Sequence, residues 1–183
     1  MKTIWSSFVA WLLAVSAAVA LAFAAPDEKT VMGYVPALTA WTLDRQTVAV
    51  PKGLPAERTL ALIAFHGAQQ AHIEGWVHGL NLRADPSIAW MRMPVLSEPG
   101  TAAEREAIET KLLRKYPAGA ERARLLPVFT DREHFARSAG LNGTHQVYAV
   151  VVNRQGEVLA RAEGAFDAAK AENLRETLAQ PGF

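Results

Sequence analysis

Three of the chain's five histidines fall within "AFHGAQQAHIEGWVHGL" (64–80). His66, His72 and His78 are each six residues apart, a spacing that invites a metal reading. On an α-helix, six residues leave neighbouring side chains about 120° out of alignment. Helical metal pairs instead use offsets of three or four. No metal site is therefore expected, and the plainer reading is two solvent-side imidazoles and one at a strand end.

Gln70, Glu74 and His78 recur every four residues and form a polar stripe on one flank of the same helix. A glutamate–histidine pair can exchange protons near neutral pH. Gln70, Glu74 and His78, with His66 beside the strand, are thus the candidate binding residues. One function for them is non-redox acid–base catalysis by Glu74 and His78 in a pocket at the helix start. The plainer one is an exposed flank, because no nucleophile accompanies the pair. "GxGxxG", "GxxxxGK[ST]" and "HExxH" are all absent, so nucleotide and zinc-protease chemistry have no support, and no cofactor is expected.

The elements that must position these residues follow from periodicity. "RTLALIAF" (58–65) is a continuous apolar run of the kind buried on both faces of a sheet. Ile73, Trp76, Val77 and Leu80 then fall on one helical face. Upstream, "ALTAWTLDRQTVAVP" (37–51) predicts a hairpin, with "DRQ" at its tip. Downstream, "SIAWMRMPVL" (87–96) is a second strand. Thr101 and Glu104 form a capping-box pattern opening a helix to about Tyr116. "ARLLPVF" (123–129) reads as a third strand, with Pro127 favouring a sheet edge. Asp131 can cap a short helix closed by Gly140. "QVYAVVVNRQGEVLARAEG" (146–164) is a hairpin, and a last helix starts near Asp167 with Ala171, Leu174 and Leu178 on one face. Trp41, Trp76 and Trp90 are expected in the core.

Strands alternating with helices imply parallel pairing, and the closing hairpin adds antiparallel strands. The expected fold class is α/β. It is a three-layer arrangement with a mixed central sheet, helices on both faces and an N-terminal β-hairpin.

Composition narrows the function classes. Half of the 183 residues are apolar and a fifth are charged, which is globular usage. The opening segment carries Lys2 and then an apolar run from Phe8 to Ala25 broken only by Ser16. Ala22-Phe23-Ala24 supplies the small residues of a signal-peptidase site. Residues 1–24 are read as a cleaved signal peptide or a retained membrane anchor, 25–36 as a linker and 37–183 as the domain. Either way, the domain is expected to be exported, to the periplasm or an equivalent extracytoplasmic space. Of 19 basic and 18 acidic residues, only Lys2 lies in 1–24, so the remainder holds 18 of each and has no net charge. Nucleic acid is excluded as a partner on that balance. "ETKLLRKYPAGAERARLL" is locally basic through Lys111, Arg114, Lys115, Arg122 and Arg124. Such runs are usually solvated faces, and the alternative is a surface for a membrane or an acidic partner.

The order of elements resembles the thioredoxin superfamily from about Pro36 to Leu178. "PALTAWTLDRQTVAVPKGLPAERTLALIAF" is similar to the opening of its peroxiredoxin and cytochrome-maturation branch, and "LPVFTDREHFARSAGLNGTHQVYAVVVNRQGEVLARAEGAF" to the same branch's close. Where that family carries Cys-x-x-Cys, this chain has Gln70 and Ile73, and it contains no cysteine anywhere. The proline that usually precedes the last hairpin is missing from "GTHQVYAVVV". Without a thiolate there is no disulfide or peroxide chemistry. The chain resembles in particular the cysteine-free assembly factors of the mitochondrial ATP synthase and their bacterial relatives. The shared features are "LIAFHGAQQAHIEGWVHGL" and the closing "VYAVVVNRQGEV". This resemblance implies a redox-inactive binding or assembly module whose partner is a protein, at or in a membrane.

Overall fold

The computed structural model describes residues 31–180. The apolar leader read as signal peptide or anchor lies outside the described residues. Among those described, no helix is long and apolar enough to cross a membrane.

The chain opens with an antiparallel hairpin, β1 (Leu38–Trp41) and β2 (Thr47–Val50), which forms a small two-stranded sheet of its own. β3 (Arg58–Ala64) follows, then a 3-10 turn over Gly67–Gln69 and helix α1 (Gln70–Gly79). β4 (Trp90–Leu96) leads to α2 (Ala102–Lys115), the short α3 (Ala120–Ala123) and β5 (Val128–Phe129). After α4 (Arg132–Ser138), the strands β6 (Tyr148–Asn153) and β7 (Val158–Glu163) make the last hairpin, and α5 (Ala168–Ala179) closes the fold. The main sheet runs β5-β4-β3-β6-β7. β3 pairs in parallel with β4 and antiparallel with β6, so the sheet is mixed as expected.

Strand β3 serves two cores because successive side chains point to opposite faces. Leu60 and Leu62 meet Ile73, Trp76, Val77 and Leu80 with Leu174 of α5. Ala61 and Ile63 meet Phe135 and Ala136 of α4, together with Ala40 and Val50 of the hairpin. Layers on both faces are what a continuous apolar strand requires. Trp76 is fully buried, and its indole N–H donates to the Gly164 carbonyl at 2.9 Å.

The expected caps form. Thr101 and Glu104 make both capping-box hydrogen bonds, and the Asp131 and Asp167 carboxylates accept from His134 and Lys170 backbone N–H groups. Gly140 ends α4 with φ of +67°, a conformation that favours glycine.

Three expectations need correction. Trp41 is not a core residue: it is 49% exposed, because β1 alternates and turns Ala40 inward instead. The run 123–129 is not one strand. Its start belongs to α3, Leu125 makes an isolated bridge to Arg92, and only Val128–Phe129 pair as β5 at the sheet edge. The stretch read as linker ends inside the domain. Val35 is buried, and backbone hydrogen bonds join Met32 and Gly33 to Val158 of β7.

Candidate functional site

The corner after β3 is where a redox relative would carry its thiols. Here it is closed by an amide. Gln69 is buried, and its side-chain oxygen accepts from the backbone N–H groups of Phe65 at 2.7 Å and His66 at 3.1 Å. Its side-chain nitrogen donates to the Thr144 carbonyl at 3.1 Å, in the loop before β6. The Thr144 hydroxyl in turn donates to Glu133 at 2.9 Å. One side chain thus ties together the strand end, the helix start and the loop before β6. His66 stands exposed at this corner, with Arg132 3.3 Å from its Nδ1.

The stripe of Gln70, Glu74 and His78 divides. Gln70 donates to Glu74 at 3.1 Å. Glu74 also accepts at 2.8 Å from each of two guanidinium groups, Arg83 and Arg92. His78 lies exposed near the end of α1. Glu74 is therefore an ion-pair partner of arginines, and its hydrogen bonds among the described residues go to Gln70, Arg83 and Arg92.

Arg92 is a residue that sequence reasoning passed over. It sits in the middle of β4 with its side chain 3% exposed. It bridges Glu74 and Glu121, and Arg83 bridges the same two carboxylates. Its guanidinium also lies over the rings of Trp90 and Tyr116, at 5.3 and 5.6 Å from their centres. Burial alone would raise the Glu121 carboxyl, but hydrogen bonds from Arg92 and then Arg83 outweigh it and hold the group below its ordinary value. Burial pushes the Tyr116 hydroxyl up. The signal was a lone charge inside "WMRMP", a strand otherwise read as buried.

Between α1, the sheet and α2 lies a cleft of about 290 Å³. Leu62, Ala64, Ile73, Pro94, Ile108 and Leu112 give it apolar walls, and Arg92, Gln70, His66, Lys111 and Lys115 also line it. The basic run does not form one face. Lys111 and Lys115 face this cleft, Arg122 bonds to Asp44 and the Tyr116 carbonyl, and the Arg124 guanidinium stacks 4.8 Å over Trp90. Arg114 is exposed. Among the described residues, no group of three or more histidines, aspartates or glutamates is placed to hold a metal.

No protein-family model matches the chain, and no curated protein matches its sequence. Solved structures do match in fold. A candidate electron transport protein of Aquifex aeolicus VF5 has a TM-score of 0.57 at 11% identity, over 82% of this chain and 99% of that one. BsSco, of the Sco family of cytochrome c oxidase assembly proteins, has a TM-score of 0.52 at 16% identity, over 79% and 91%. A thio-disulfide isomerase of Thermus thermophilus has a TM-score of 0.52 at 17% identity, over 81% and 97%. The fold is thioredoxin-like, carried by a chain without cysteine.

Proposed function

We propose that this chain is an exported, redox-inactive thioredoxin-like module that binds or helps assemble a membrane-associated protein partner. The cysteine-free assembly-factor branch that its sequence resembles supplies the functional analogy. The observation that carries the reading is Gln69. Gln69 closes the corner directly before Gln70 and Ile73, the positions where the resembled family carries its cysteines, and the chain has no cysteine, so the fold is retained while its usual chemistry has no atom to work with. The neighbourhood of BsSco, which belongs to a family of assembly proteins, is consistent with this.

The test is isolation of the full chain from mildly solubilised membranes of its own cells after brief cross-linking. A single membrane protein recovered in constant ratio is the expected result. Intact mass of the recovered chain should place its start near Ala25. Recovery of the chain alone, from the soluble fraction of unexported material, would overturn both export and partnership.

A further inference from the structure

The cleft between α1 and α2 has a direction. Along β4, Arg92, Pro94 and Leu96 share one face, and they span about 13 Å at ~3.3 Å per residue. Along α2, Ile108, Lys111, Leu112 and Lys115 recur at helical spacing, and Ile108 to Tyr116 covers about 12 Å at ~1.5 Å per residue. The two elements run in opposite senses, since the Arg92 guanidinium lies over the Tyr116 ring. The result is a trough with Arg92, Tyr116 and Lys115 at one end and Leu96 and Ile108 at the other, where His66 also lines it.

Two further observations concern charge. Glu74 and Glu121 are matched one for one by Arg83 and Arg92, so that cluster sums to zero. Lys111 and Lys115 have no carboxylate within ion-pair distance among the described residues, which leaves two positive charges on the lip of an apolar trough. The Arg92 Nε–H is buried with no acceptor. Such an orphaned donor is costly, and it marks the cluster around Arg92 as one the fold maintains against that cost. Helix α2 meanwhile has no fully buried side chain, so Ile108 and Leu112 still have apolar surface to cover.

We propose that this trough binds a single-chain acyl carboxylate. The carboxylate sits at the polar end, near Lys115, with Lys111 beside it. The chain lies between α1 and α2 toward Leu96. The volume favours one chain over a two-chain lipid, since it lies at the small end of known ligand pockets. The inference goes beyond the partner reading and stands without it.

The probe is decanoate, titrated by calorimetry below its micelle concentration, against decyltrimethylammonium as a chain of the same length and opposite charge. Decanoate should bind at least about tenfold more tightly, the equivalent of ~1.4 kcal/mol. Leu112→Trp, which fills the trough, should abolish binding. Lys111→Glu with Lys115→Glu changes only exposed side chains, and it should erase or reverse the preference for the anion. Equal binding of the two amphiphiles, no binding of either, or decanoate binding indifferent to the lysine reversal would each overturn the proposal. So would binding confined to phosphatidylglycerol vesicles or to an acidic peptide, because the occupant would then be of another kind.

Discussion

Gln69→Ala beside Gln70→Ala isolates the role of the closed corner. The two glutamines are adjacent, yet one is buried and hydrogen-bonded on three sides while the other is half-buried and donates to Glu74 one turn on. Removing the Gln69 amide leaves the Phe65 N–H buried without an acceptor, weakens the position of the His66 N–H and frees the Thr144 carbonyl. Each unsatisfied buried group costs ~1–3 kcal/mol, and water entering the vacated space recovers part of that. A loss of about 2–4 kcal/mol is expected, a large share of a typical domain's margin. Gln70→Ala gives up one half-buried side-chain pair within a helix, worth ~0.3 kcal/mol, and should cost under ~0.5 kcal/mol. Urea melts at neutral pH, with midpoints compared at constant slope, measure both. Gln69→Glu adds a check. Its carboxylate keeps the two acceptor bonds but faces the Thr144 carbonyl, whereas the protonated acid can donate to it. Its deficit should therefore shrink as pH falls toward 4. If Gln69→Ala costs no more than Gln70→Ala, the corner is not held by that amide, and the account of how this fold does without its thiols fails.

The remaining predictions are shorter. Trp76→Ala removes a fully buried indole and its hydrogen bond to Gly164, and should cost ~3–5 kcal/mol by urea melt, enough to unfold the domain at moderate temperature. Glu121→Gln should destabilise the protein at neutral pH. Because the folded carboxyl lies below its ordinary value of 4.5, the stability it contributes is present above that value and is lost as pH falls through the folded pKa, so wild type and variant should converge in acid melts. The purified protein should show no disulfide reductase and no thiol-dependent peroxidase turnover, and a rate above buffer in an insulin-reduction assay would contradict the redox-inactive reading.

What could be read from the sequence was whatever depends on near neighbours. Ile73, Trp76, Val77 and Leu80 declare a face by their spacing, and all four are buried. Thr101 and Glu104 lie three residues apart and close both of their capping hydrogen bonds. The site was harder, because its partners come from far along the chain. Glu74 and His78 have the spacing of a helical pair. Arg92, 18 residues on, and Arg83 take the carboxylate instead, and no periodicity shows that. Gln69 and Gln70 are indistinguishable as letters, and what separates them is the turn back to the Phe65 and His66 N–H groups and the approach of Thr144, 75 residues away. Trp41 was legible in principle, since Leu38 and Ala40 alternate with Thr39 and Trp41. Its size argued for burial more strongly than its register argued against it.

Helix α2 is well tied at its start by Thr101 and Glu104, and yet along its length it contributes no fully buried side chain. Local stability follows buried contacts, so its amides should exchange with solvent through openings that leave β3 and β6 intact. One wall of the trough is therefore the looser one, and its width is set by an equilibrium. An occupant that touches both Leu112 and Leu62 has to hold that wall still, and part of its affinity is spent on ordering. The same coupling works in reverse: filling the trough should slow deuterium uptake along residues 102–115 while that of the Trp76 helix stays as it was.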